Sequence, residues 1–349
     1  MTDMQTTDLN RVLVLGGQGV LGRMIAEAFA AAGVTALRAG RRPDSGADFR
    51  HVDLDEPETV EKALGEADLI VTTVPDERLI AERLVLERGG LLVNVSAMPA
   101  SAARRLRREP GQPQGTVLMN AGIAPGLTNL IAADLLAKQP AADEVELVFT
   151  TSAKGSHGPA GAAFAHRGLT GTSRHHTTVV SLPEPFGRRR CLAFAESDGG
   201  WLGAEADGKT VSTYACISER RVNSAMLAFN SAGIIGRLPR SVFAGGASAA
   251  PTSEQVAHWV AVRRGGALLA ARTLRCRGDY RAAAAATVLF ARSLAARGGA
   301  GPAGVLVPEE LVTIGELRPA LAKAGIVVVD ERPPVASADA PLVSTEQAG

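Results

Sequence analysis

The sequence predicts an α/β fold: an N-terminal, doubly wound parallel sheet, followed by a second, α+β domain that carries its own sheet. Three observations predict it. Short continuous apolar runs alternate with segments of helical period over roughly the first 120 residues, the sign of strands buried on both faces. The first run stops at a glycine cluster that opens a helix. After Pro140 the character changes to extended segments parted by Gly, Pro and Asp turns.

The elements follow in order. Arg11–Leu15 (RVLVL) is a strand, and Gly19–Ala32 repeats Leu21, Ile25, Ala28, Phe29 and Ala32 at helical spacing until Gly33 ends it. Val34–Ala39 and Phe49–Leu54 are the next strands. Pro57–Ala67 reads as a helix, Asp68–Val74 as a strand, and Asp76–Arg88 as a helix stopped by Gly89-Gly90. Leu91–Val95 and Thr116–Met119 complete the sheet, and Leu127–Lys138 is helical. Glu144–Thr151, Thr177–Leu182, Arg190–Ala195 and Thr210–Cys216 are extended. Val256–Thr273 and Tyr280–Arg297 read as helices, Leu317–Ala324 as a short helix and Ile326–Val329 as a strand. This divides the chain into an arm over 1–10, a nucleotide-binding domain over 11–126, a second domain over 127–300, a return segment over 301–332 and a flexible tail over 333–349.

Bulk properties narrow the function. Net charge is +1 and aromatic residues make up 4%, so neither a basic field nor a base-stacking surface for nucleic acid is present. Cys191, Cys216 and Cys276 are odd in number and form no CxxC, which argues against a disulfide framework or a cysteine zinc site and for a cytoplasmic setting. The polar first ten residues are no signal peptide, and no apolar run is long enough to span a membrane.

The strongest chemical signal is Gly16-Gly17-Gln18-Gly19-Val20-Leu21-Gly22 between the first strand and its helix. It fits both GxGxxG and GxxGxxG. Bare glycines allow a tight turn and close approach of a pyrophosphate, which the helix N-terminus then attracts. This is the dinucleotide site of a Rossmann domain. NAD enzymes place an acid about 20 residues on, for the ribose 2′-OH. Here Leu37-Arg38-Ala39-Gly40-Arg41-Arg42 offers space and two guanidinium groups instead. Arg41 and Arg42 therefore predict NADP, held through its 2′-phosphate. Ligands sit at the C-terminal strand edge. That adds Asp53 and Leu54, then Thr73, Val74 and Pro75, then Ser96 and Ala97.

These motifs support a resemblance. The GGxGxxG start, the Ala39-Gly40-Arg41 turn, Asn120-Ala121-Gly122-Ile123-Ala124-Pro125-Gly126-Leu127 and Gly304-Val305-Leu306-Val307-Pro308-Glu309-Glu310 are similar to the saccharopine dehydrogenase-like (saccharopine reductase) family, over about Arg11 to Asp330. The resemblance implies an NADP-binding Rossmann domain, a substrate domain inserted before the chain returns to it, and a homodimer formed through that domain. Gly122 is expected among the cofactor-binding residues, and Gly126 allows close backbone approach near the nicotinamide. Amine-forming members carry Asp before the Pro-Gly, where this chain has Ala124.

Hydride chemistry needs a positioned substrate and a proton source. Lys154, His157 and His166 are the candidates, in a glycine-rich stretch read as loop; His175-His176 follow close by, and four of the six histidines fall between His157 and His176. No metal site is expected. The reading is an NADP(H)-dependent oxidoreductase reducing an imine or carbonyl of a small amino-acid-related or secondary-metabolite substrate. The alternatives are a trans-acting enoyl reductase of a biosynthetic pathway and a non-catalytic NADP(H)-binding homologue.

Overall fold

The structure is a computed structural model that describes residues 9–96, 98, 101–109, 111–155, 158–171, 176–195, 208–243, 255–297 and 303–331. The tail expected over 333–349 and most of the arm expected over 1–10 lie outside them.

The first sheet is built from β1 (Arg11–Leu15), β2 (Thr35–Gly40), β3 (Phe49–His51), β4 (Leu69–Thr72), β5 (Leu91–Asn94) and β6 (Thr116–Leu118). All its pairings are parallel, in the order β6-β5-β4-β1-β2-β3. Crossover helices α1 (Val20–Ala31), α2 (Pro57–Leu64), α3 (Ile80–Arg88) and α4 (Ser101–Arg107) join the strands. Alternation along β1 explains why its whole run is apolar. Val12 and Val14 enter one cluster with Ile25 and Phe29 of α1. Leu13 and Leu15 enter another with Val60, Val85 and Leu92. A strand covered on both faces has no place for a polar residue.

The chain leaves this sheet through α5 (Leu127–Lys138) and enters β7 (Glu144–Thr151), α6 (Gly158–Thr170), β8 (Thr177–Leu182), β9 (Gly187–Ala193), β10 (Thr210–Ile217), α7 (Arg220–Ser231), β11 (Gln255–Arg264) and β12 (Ala267–Arg277). Helix α8 (Asp279–Arg297) returns to the first sheet, where β13 (Gly304–Leu306) pairs in parallel with β6. After α9 (Pro308–Leu311) and α10 (Ile314–Lys323), β14 (Val327–Glu331) crosses back and pairs with β12. The second sheet therefore runs β14-β12-β11-β7-β10-β9-β8, antiparallel except for β7 with β10. The segment expected to return to the first sheet over 301–332 thus divides, with β13 in one sheet and β14 in the other.

Between the sheets lies one continuous apolar cluster. It joins Leu130 and Leu135 of α5 and Phe290 and Leu294 of α8 to Val145, Leu147, Val256, Val260 and Val262 on the inner face of the second sheet. A part-buried ionic bridge adds to it. Arg272 on β12 donates to Asp134 of α5 and to Asp330 of β14, and Arg318 of α10 also meets Asp330.

Three local expectations change. Val256–Thr273 is a β-hairpin, not a helix. Gly265 and Gly266, with φ of 53° and 81°, make its turn; such angles suit glycine and the tight hairpin. Both faces of β11 are buried, Val256, Val260 and Val262 inward, Ala257, Trp259 and Ala261 outward, so the alternation that marks a strand is missing. The stretch around His166 is helix α6, not loop. Helix α10 begins earlier than Leu317: Thr313 Oγ1 accepts Glu316 N–H and Glu316 Oε2 accepts Thr313 N–H, a reciprocal cap.

Candidate cofactor cleft and active site

The turn after β1 is drawn tight by its own backbone. Gly16 N–H and Gly17 N–H donate to Ala39 O at 2.9 and 3.0 Å, and Gly19 N–H to Gly16 O at 2.8 Å. Gly16 has φ of 77°. A Cβ on Gly22 would overlap the Gly16 carbonyl, and one on Gly17 would lie 2.8 Å from Arg38 Cβ. The glycines thus allow α1 to start directly against the strand end, with its first N–H groups open to an anion.

A cleft of about 700 Å³ spreads from this turn, lined by Gly16, Gln18, Gly19, Arg41, Arg42, Asp53, Leu54, Thr73, Val74 and Pro75. Gln18 Nε2 donates to Arg42 O, which fixes the basic loop over the turn. The first acid after that loop, Asp44, faces Arg38, which also pairs with Asp48 at 2.7 Å. Among the described residues Arg41 and Arg42 make no ion pair, and both are exposed. Asp53 Oδ1 accepts Asp55 N–H and so shapes the turn after β3. Gly17 and Gly22 shape the turn without lining the cleft. Val20 meets the second domain: a Cβ on Gly158, at the start of α6, would lie 3.6 Å from Val20 Cγ2.

A second cleft, about 260 Å³, continues from the first between the two sheets. Thr73 lines both, and its Oγ1 donates to Leu15 O at 3.0 Å. Leu21, Ser96 and Gly122, named from the sequence, line this second cleft with Ala124 and Pro125. Most of its wall is apolar: Ile123, Phe149, Phe164, Leu169, Phe194 and Phe243. Ser96 is held from behind. Its N–H and Oγ–H both donate to Asn94 Oδ1, and Asn94 Nδ2 donates to Glu82 Oε1 at 2.6 Å. Burial pushes the Glu82 carboxyl up to about 7.

The proton-donor candidates fall differently. Lys154 is exposed and does not line the cleft; its N–H donates to Ser152 Oγ. His166 is half-buried on α6, its ring edge-on to Phe243 at 5.4 Å; Phe243 lines the cleft and His166 does not. His157, His175 and Ala97 lie outside the described residues. Sequence reasoning missed His258, Asp279 and Tyr280, which do line the cleft. The Nε2 of His258 stands 3.6 Å from Asp279 Oδ1. The Tyr280 phenol is pushed up by burial and by Asp279. His258 was hidden in a segment read as helix, where a lone His on an apolar run gives no signal. Its position opposite Phe149 of β7 is a matter of register.

Among the described residues no Lys or Arg lines this second cleft, no cluster of His, Cys, Asp and Glu is placed to hold a metal ion, and no helix is long and apolar enough to cross a membrane.

No protein-family model and no curated protein matches the chain. Solved structures do. An apo saccharopine dehydrogenase (L-Glu forming) from Saccharomyces cerevisiae superposes with a TM-score of 0.58 at 12% identity, covering 92% of this chain and 99% of its own. A dipicolinate-bound dihydrodipicolinate reductase from Paenisporosarcina sp. TG-14 gives a TM-score of 0.41 at 12% identity, over 87% of this chain and 100% of its own. The chain thus shares the fold of the yeast saccharopine dehydrogenase, in keeping with the resemblance carried by its motifs.

Proposed function

We propose that this protein is an NADP(H)-dependent oxidoreductase that reduces an imine or carbonyl of a small substrate. One observation carries the reading: a glycine-rich turn opens α1 in the same cleft where, among the described residues, Arg41 and Arg42 make no ion pair. The turn suits a diphosphate and the arginines a 2′-phosphate. Shared fold with a saccharopine dehydrogenase supports it. NADPH, when bound, supplies a hydride; the chain's own residues bind it, shield the reacting carbon and provide a proton. Thr73, common to both clefts, is where nicotinamide and substrate would meet.

Fluorescence titration with NADPH and NADH tests this. NADPH is expected to bind at least tenfold tighter. Absence of binding by either nucleotide overturns the reading, and tighter NADH binding overturns the choice of NADP.

The second cleft favours an acceptor without a carboxylate at its reacting end, because its described lining offers no Lys or Arg and carries Asp279. Its apolar wall equally supports the second reading, a trans-acting enoyl reductase whose acyl chain lies against Phe149, Phe164 and Phe194. The buried, unpaired Cys191, Cys216 and Cys276 fit a reducing, cytoplasmic compartment. A homodimer is proposed on the resemblance alone, and sedimentation velocity tests it.

A further inference from the structure

Three side chains of the substrate cleft carry buried polar atoms that the fold leaves unmet. His258 Nδ1 and Nε2, Asp279 Oδ1 and Asn120 Nδ2 make no hydrogen bond among the described residues. All three residues line the same cavity. Leaving one buried polar atom unsatisfied costs about 1–3 kcal/mol. Four of them around one space mark the place where a ligand's polar atom is received.

The backbone explains how they converge. His258 shares the inner face of β11 with Val256 and Val260, so its imidazole projects from the second sheet toward the first domain. Asp279 opens α8, immediately after β12. Asn120, with φ of 62°, sits just beyond the C-terminal end of β6 in the parallel sheet. His258 is 3% exposed, and its Nε2 lies 3.6 Å from Asp279 Oδ1, a gap that a small ring rotation turns into a hydrogen bond.

We propose that His258, oriented by Asp279, is the acid that protonates the substrate atom left electron-rich by hydride transfer. The proposal rests on the reductase reading above. Hydride from a reduced nicotinamide dinucleotide bonds to the carbon of C=O or C=N. The π pair then resides on the heteroatom. The imidazolium of His258 holds one N–H toward Asp279 and gives the other proton to that heteroatom, leaving neutral imidazole and an alcohol or amine. Solvent reloads the ring after product leaves. Asp279 acts through His258 and is a positioning residue: it selects the tautomer and steadies the cation. Asn120 Nδ2 donates to the same heteroatom. Tyr280 is the competing donor on the cleft wall, and it is distinguishable.

The test uses the full chain with 2-methyl-1-pyrroline and 2-octanone as acceptors, and the inert octanamide as a binding probe. For the best acceptor, H258Q is expected to lose about 100-fold in kcat, with KM and NADPH affinity within about threefold of the parent. D279N is expected to lose about tenfold in kcat at unchanged KM, and D279E to recover part of it; a purely structural role would move KM and nucleotide affinity together. Y280F is expected to lose at least tenfold less in kcat than H258Q. A second arm needs no turnover. In the unsubstituted protein with ¹⁵N-labelled histidine, octanamide is expected to shift the ring nitrogens of His258, with or without NADP⁺. No shift there, or kcat retained in H258Q but lost in Y280F, overturns the proposal. Failure to bind NADP(H) removes the reductase reading instead, and the octanamide arm on the nucleotide-free protein still reads His258.

Discussion

Asn94 stands between a buried acid and the wall of the second cleft: its Nδ2 donates to Glu82 Oε1, while its Oδ1 receives both the N–H and the hydroxyl of Ser96. Glu82 is 3% exposed. Desolvation raises its carboxyl from an ordinary value of 4.5 to about 7. The folded protein therefore holds a proton that the unfolded chain has already released between those values. Stability is greatest below about 4.5 in this respect and falls as pH rises through about 7. At one pKa unit per 1.36 kcal/mol the swing is on the order of 3 kcal/mol. Glu82→Gln keeps the acceptor for Asn94 and removes the titration. Urea unfolding at pH 5 and pH 8 is expected to show a flatter pH dependence for the variant, which should be the more stable protein at pH 8.

Arg41 and Arg42 should separate the two nicotinamide coenzymes. A charged hydrogen bond to a phosphate is worth about 1.5–3 kcal/mol. The double change to Ala is expected to weaken NADPH by about 100-fold or more and to leave NADH within about threefold. Isothermal titration checks both. Equal losses for the two would show that the basic loop shapes the fold without reading the 2′-phosphate.

Gly22→Ala forces a methyl group into the carbonyl of Gly16. Helix α1 must then retreat from β1, the strand whose Val12 and Val14 share a cluster with Ile25 and Phe29. Overpacking of this kind costs about 1–3 kcal/mol. Thermal unfolding should register that loss, and NADPH affinity should fall with it because the open N–H groups of α1 move away from the diphosphate.

Arg272 links α5, β12 and β14 through two carboxylates. Its own side chain is 8% exposed, but Asp134 and Asp330 are 24% and 58% exposed, so solvent screens much of the attraction. Asp134 and Asp330 also keep Lys138 and Arg318. Arg272→Met is therefore expected to cost about 1–2 kcal/mol, less than the 3–5 typical of a fully buried pair broken on one side. Equilibrium denaturation measures it.

Acceptor charge gives a last expectation. An acceptor with a carboxylate beside its C=O or C=N meets Asp279 and no described Lys or Arg in the second cleft. In competition kinetics 2-octanone should outpace 2-oxooctanoate by about tenfold in kcat/KM, which is about 1.4 kcal/mol of differential binding. The reverse preference would point to an anion-binding group from another part of the chain.

What could be read from the sequence follows from how local each signal is. The glycine turn was legible because Gly16, Gly17, Gly19 and Gly22 act within a few residues of each other, between a strand and a helix. The place of Arg41 and Arg42 just beyond the second strand was legible for the same reason. The parallel sheet was legible because Leu13, Val14, Ile70, Val71, Leu92 and Val93 sit in short runs without polar breaks. The hairpin of β11 and β12 was not, since burial on both faces erased its period and Ala, Val and Leu suit helix equally well. Gly265-Gly266 was the overlooked signal. The wall of the second cleft depends on distant partners: His258 meets Asp279 only because β12 returns beside β11, and no local pattern records that.

The return of β14 to the edge of β12 has a mechanical meaning. The polypeptide passes from one sheet to the other three times, between Lys138 and Glu144, between Arg277 and Asp279, and between Leu311 and Val327. Neither half can be excised as one continuous stretch of chain. A truncation before Val327 would strip β12 of its outer neighbour and bare a row of N–H and C=O groups on a long strand, the kind of margin at which separate molecules adhere.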